Sequence, residues 1–286
     1  MTAVLSLIPA SCLLTLTARR FFILSRSISI ASCKGGITKT TSTINIGAAL
    51  TMLGYRVLLV DNDAQSSLTT YLGLKEGVTT SLPNLIKAVM DDLPDDELTQ
   101  LIEDGILSKG KLDIIPSHIK MSRLEMGISM ATNREYILSD ILQKVNKKYH
   151  FVLIDCLPAL GIFTLNALIA SDSVIIPVET HLGALEGFEQ ILDTIKMIKK
   201  RLNPGLQIEG VLLTKHQERT KFCRGIKQLI VDDYGDMLHI FNPPIPYSIK
   251  VAETSSLGIS IFEHEPQNPA ATAYMAVAKE VAAHEK

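Results

Sequence analysis

The chain has 286 residues, 47% of them hydrophobic and 20% charged, with a formal net charge of −2. That is enough apolar material for one well-packed domain, and no Pro/Ser/Gly-rich or charged linker divides it. A slightly negative chain is no polycation, so any nucleic-acid contact must come from a local patch.

The four cysteines (Cys12, Cys33, Cys156 and Cys223) are far apart and form no C-x-x-C, and the seven histidines show no metal-ligand spacing. This argues against a disulfide framework or a zinc site and suits a reducing compartment.

Residues 1–26 open with 18 uncharged, Leu/Ser/Thr-rich positions, and Arg19, Arg20 and Arg26 follow. A secretory signal carries its positive charge before the apolar stretch, not after it. Pro9, Ser11 and several threonines make a poor membrane span. The Arg/Ser content also allows a transit peptide, but no acid occurs anywhere before Asp61, so that feature is not special to the leader. These residues read as a non-core N-terminal extension, with the folded domain over 27–286.

Residues 27–60 organise the rest. An alternating apolar run, Ile28 to Ala31, turns through Cys33-Lys34-Gly35-Gly36-Ile37-Thr38-Lys39-Thr40-Thr41 and continues as a helix to about Leu53. Gly54 stops it, and Arg56 to Val60 is a second buried strand. Strand, Gly-rich turn, helix, strand is the context of a phosphate-cradling loop, whose backbone N–H groups and helix dipole converge on one spot. Lys39 adds a full charge there, and the Thr40 hydroxyl is placed to bind Mg²⁺. The strict pattern G-x-x-x-x-G-K-[ST] is not met, because Cys33 and Thr38 hold the two glycine positions. If the second position requires positive φ, a β-branched residue is strained there.

Asp61 and Asp63 follow at the C-terminal end of a parallel strand, where open α/β sheets bind ligands. One can hold Mg²⁺ while the other orients a nucleophilic water. Residues 73–110 are acidic and read as solvated surface helices, before a short strand at 112–115 ended by Pro116. Amphipathic helices are expected over 121–130 and 135–145. Residues 151–155 (FVLID) form a fully apolar strand delivering Asp155 to the same edge, a Walker-B pattern. A long helix ends in Lys199-Lys200-Arg201, where cations suit the dipole.

From 191 to 250 ten Lys/Arg face six acids. Such a local positive excess could hold a DNA backbone without reading its sequence. Residues 241–250 read FNPPIPYSIK, and an Ala-rich helix closes the chain over 269–283.

Lys34-Gly35-Gly36 before Lys39-Thr40-Thr41, the DNDAQSSLT stretch, and residues 151–178 together resemble the deviant Walker-A ATPases of the ParA/MinD group. Their usual texts are KGGxGKTT, DxDPQGNAT and DCPPSLGxxTxNALxAADxxIIPV. The resemblance covers about 27–281, and its ParA-type branch matches best.

It implies an α/β fold: a mostly parallel, doubly wound sheet with helices on both faces and a deviant Walker-A P-loop. It implies a DNA-segregation ATPase using ATP and Mg²⁺, weak in turnover and stimulated by a ParB-like centromere-binding protein. The nucleotide would lie against residues 34–41 (Lys34, Gly35, Gly36, Ile37, Thr38, Lys39, Thr40 and Thr41), with Pro246 and Ser248 flanking the base. Thr40, Asp61 and Asp155 would form the metal side, and Asp63 would position water. Lys34 and Lys39 would neutralise phosphate charge, Lys34 reaching across a homodimer.

Arg219, Lys221 and Arg224 would hold DNA non-specifically, in a cytoplasmic, nucleoid-associated protein. No membrane partner is expected, because the last helix lacks a basic amphipathic tail. The rivals are a MinD-like positioning ATPase at a membrane, a tyrosine autokinase, and a non-hydrolysing nucleotide-gated DNA-binding regulator. The autokinase reading lacks a tyrosine-rich C-terminus; Thr38 is the reason for the regulator.

Overall fold

The computed structural model describes residues 25–34, 38–145, 147–181 and 183–284. The strands are β1 (Arg26–Ile30), β2 (Val57–Asn62), β3 (Leu107–Lys109), β4 (Leu112–Ile115), β5 (Phe151–Cys156), β6 (Ser173–Glu179) and β7 (Gln207–Thr214). The helices are α1 (Lys39–Met52), α2 (Ser67–Tyr71), α3 (Leu82–Met90), α4 (Asp95–Gly105), α5 (Met121–Met130), α6 (Ile137–Val145), α7 (Ile162–Ile169), α8 (Ala184–Arg201), α9 (Lys221–Tyr234), α10 (Ile249–Leu257), α11 (Ile261–His264) and α12 (Pro269–Ala283).

Runs such as VLLV in β2 and FVLI in β5 have no polar alternation because both faces of their sheet are covered. The seven strands lie in the order β3-β4-β2-β5-β1-β6-β7. Every pairing is parallel except β3 with β4.

One face packs Ile28, Leu59 and Leu153 against α1 and α12 through Ile44, Ile46, Tyr274 and Val277. The other packs Leu58, Val152 and Ile176 against Leu85, Ile141, Leu168 and Ile191 of α3, α6, α7 and α8. α1 sits close on the sheet at Gly47, where a Cβ would come within 2.9 Å of the Leu59 side chain. The helix ends at Gly54, whose φ of +96° suits glycine.

The leader expectation falls mainly on residues 1–24, outside the described residues. Arg26, counted with the leader in the sequence reading, is the first residue of β1. It pairs in register with Phe151 and forms an ion pair with the buried Glu209 of β7. β3 was not foreseen within the acidic 73–110 stretch, since three residues are too few to show a period. Beyond α9 the chain returns to the edge of β7 and runs parallel to it, bridging Val211 to Ile240 and His216 to Pro246. Proline, which has no N–H to offer, is tolerated at such an edge.

Candidate nucleotide site

The site begins at the N-terminus of α1. The first helical bond runs from the Ser42 N–H to the Thr38 carbonyl, so the N–H groups of the first turn have no intrahelical partner. Thr38 makes no capping hydrogen bond, and no acid lies in that turn. The helix dipole therefore faces an uncompensated positive end. Thr38 sits at φ −56°, ψ 35°, so the strain feared from a threonine at a positive-φ position does not arise. Its Oγ1 is buried with no hydrogen-bond partner among the described residues. Gly35, Gly36 and Ile37 lie outside the described residues.

Lys39 is almost fully buried, and its Nζ donates to the Lys34 carbonyl at 3.1 Å and the Ser32 hydroxyl at 3.2 Å. Burial pushes its pKa down, while Asp155 and other neighbours pull it back up. The Lys34 side chain does not line its own chain's cleft. It lies over the start of α8, its Nζ 3.4 Å from where a Gly183 Cβ would stand.

Register aligns Asp61 of β2 with Asp155 of β5, side by side at the C-terminal edge. Thr40 Oγ1 donates to Asp155 Oδ2 at 2.7 Å, and Thr43 Oγ1 to its other oxygen at 3.4 Å. Asp155 does not line the cleft, and neither does Asp61, which was expected with it on the metal side. Asp61 is fully buried and accepts the Thr69 N–H at 2.8 Å, the Thr69 hydroxyl at 2.6 Å and the Asp63 N–H at 3.2 Å. It braces the strand-end turn and does not line the cleft. Asp63, beyond the end of β2, does line it. Its oxygens accept the Gln65 N–H at 2.8 Å and the Ser67 hydroxyl at 2.5 Å, leaving lone pairs toward the cleft.

The cleft has a volume of about 360 Å³. Thr38, Lys39, Thr40, Thr41 and Asp63 line one end, and Ile245, Pro246, Tyr247, Ser248, Val251 and Ala252 the other. A polar end and an apolar end in one cavity suit a nucleotide: phosphates at the helix N-terminus, base against the proline segment. The sequence reading missed Ser67, Lys215, Tyr247 and Tyr274, which also line it. Tyr247 adjoins the named Pro246 and Ser248 and could have been included. Lys215, at φ 48°, gave no signal in the sequence.

Burial, with Asp61 beside it, pushes the Asp155 carboxyl up to about 8, and burial pushes Asp61 up to about 6. Below the ordinary carboxylate range, about 3.9, neither the folded nor the unfolded state is ionised and burial costs nothing. As pH rises, the unfolded chain releases these protons first, so stability falls up to the folded values. Without nucleotide or Mg²⁺, the thermal midpoint should drop between about pH 4 and 8, and Asp155→Asn should flatten that drop. An equally steep drop in the variant contradicts this account.

Arg219, Lys221 and Arg224 are exposed at the β7–α9 corner. Lys221 and Arg224 occupy the first turn of α9, and Asp232 and Asp233 its last. This opposes the dipole and costs the helix stability. The ten cations of the region therefore divide. Lys199, Lys200 and Arg201 end α8, where the dipole favours them. Lys221 and Arg224 sit where the dipole disfavours them, with the exposed Glu218 close to Arg224 and Lys227.

The fold and this cleft define a P-loop nucleotide-binding protein. A family model described as an AAA domain matches residues 25–208. The sporulation initiation inhibitor protein Soj of Bacillus subtilis is 37% identical over 262 residues, 91% of this chain and 100% of that protein. The chromosome partitioning protein ParA of Caulobacter vibrioides is 33% identical over 264 residues, 91% of this chain and 95% of that one. A Mycobacterium smegmatis structure described as cobyrinic acid a,c-diamide synthase with bound ADP and magnesium has a TM-score of 0.75 and 31% identity. It covers 91% of this chain and 95% of that one. The chain belongs to the ParA/Soj family of partition ATPases. No helix among the described residues is long and apolar enough to cross a membrane.

Proposed function

We propose that the protein is a partition ATPase in which ATP and Mg²⁺ close two copies face to face, the closed pair holds DNA, and hydrolysis releases it. The observation that carries this reading is the single cleft with Lys39, Thr40 and Asp63 at one end and Pro246 and Ser248 at the other. A triphosphate fits there: it would give acceptors to the orphan N–H groups of α1, to the buried Thr38 hydroxyl and to the Lys39 ammonium.

Thr40, supported by Asp155, is the residue that would hold Mg²⁺, which when bound neutralises charge on the β- and γ-phosphates. Lys39 neutralises phosphate charge from its own chain. Lys34, directed away from its own cleft, does so from the partner copy. Asp63 orients the attacking water, and Asp61 fixes the turn that carries Asp63. Basal turnover is weak and rises with a ParB-like centromere-binding protein, in a nucleoid-associated cycle.

DNA binding assigns Arg219, Lys221 and Arg224 to the phosphate backbone. With Mg²⁺ and ATP, replacing each by alanine should weaken binding to any duplex alike and lower the slope of log K against log salt by about one. Unchanged salt slopes would remove DNA contact from this helix.

A further inference from the structure

A second cleft, of about 300 Å³, lies behind the Asp63 turn, over the C-terminal ends of β2 and β4. The turn is the wall between the two clefts: Asp63 and Ser67 line the first, Gln65 and Ser66 the second. Among the described residues the second cleft is lined by no carboxylate, while Lys75 and His118 both face it. Lys75 has no ion-pair partner among the described residues. His118 accepts the Lys120 N–H at its Nδ1, 3.1 Å away, and its other ring nitrogen, Nε2, has no partner among the described residues. Ser66 is 6% exposed, and its hydroxyl too has no described partner. It holds a left-handed conformation, φ 55° and ψ 43°, which costs energy for a serine. Val78 and Ile119 supply an apolar side.

Unanswered donors, no acid and a small apolar wall are the complement of a small organic anion. The same walls hold Asp63. Its carbonyl accepts the Ser117 hydroxyl at 2.7 Å and the Ser66 N–H at 2.9 Å, and the Ser117 N–H binds Thr69, which braces Asp61. We infer that this cleft is an effector site for a small carboxylate or phosphate monoester, and that its occupant alters ATP turnover through the Asp63 turn. The coupling, though not the binding, rests on the reading of Asp63 as the residue that orients water.

The test titrates succinate and glycerol 3-phosphate separately into the full chain by calorimetry, with and without Mg²⁺-ADP, and then measures ATP turnover. One of the two should bind once per chain whether or not ADP is present, and the better binder names the headgroup. Lys75→Ala and His118→Ala should each weaken it about tenfold, and Lys75→Arg should restore part of the loss. Saturation should shift turnover at least about twofold, a modest coupling by the scale of linked sites. No binding of either probe, or equal binding in both alanine variants, overturns the site. Binding without a change in turnover overturns the coupling. Absence of ADP binding in the same samples would instead count against the nucleotide cleft, leaving the probe isotherm to judge the second one.

Discussion

Lys39→Ala should lower ATP affinity by about a hundredfold or more and leave the fold intact. The amine is buried at the start of α1 and, among the described residues, hydrogen-bonded only to a loop carbonyl and a serine hydroxyl, partners that a phosphate would replace. Alanine removes the one full charge that this chain's loop directs at the triphosphate. Little stability should be lost, because Asp155, the neighbouring acid, is already held toward its neutral form by burial. Equilibrium binding of ATP and thermal unfolding of the same samples check the two halves of this expectation. Retained affinity with normal stability would show that the phosphates lie elsewhere.

Asp63→Ala should separate binding from chemistry. Among the described residues the Asp63 carboxylate accepts hydrogen bonds only from its own turn, Gln65 and Ser67, so ATP should still bind and still draw two copies together. Turnover should fall by about 10²–10⁴-fold, the usual worth of a positioned acid or base. Sedimentation with Mg²⁺-ATP and a phosphate-release assay report the two effects separately. Loss of association at unchanged turnover would assign Asp63 to the contact between copies and not to water. The same substitution removes one charge beside Asp155, so that carboxyl should also titrate lower.

Much of this was legible in the residues because the signals are local. The Gly-rich turn between β1 and α1 and the apolar FVLI run before Asp155 follow from period and turn chemistry alone. What stayed illegible depends on how neighbouring segments meet. The spacing of Asp61 and Asp63 suggests two carboxylates on one side of the strand. It does not reveal that the chain leaves the strand after Asn62, so that Asp61 is taken up by Thr69 while Asp63 reaches the cleft. The direction of Lys34 over α8 and the reversed charges of α9 likewise require the placed helices. Thr38 shows the limit of arguing strain from a motif. Its φ of −56° is ordinary, which removes the conformational reason for expecting a non-hydrolysing protein.

Phosphate release from ATP by the purified full chain tests the central claim most directly, measured with Mg²⁺, with EDTA and with Mg²⁺ plus duplex DNA, beside ATP binding in the same buffers. The account predicts slow turnover that needs Mg²⁺, stops with EDTA and recovers when Mg²⁺ is restored. Tight ATP binding with no turnover under any of these conditions would contradict it, and would make the protein a nucleotide-gated DNA binder instead of an ATPase.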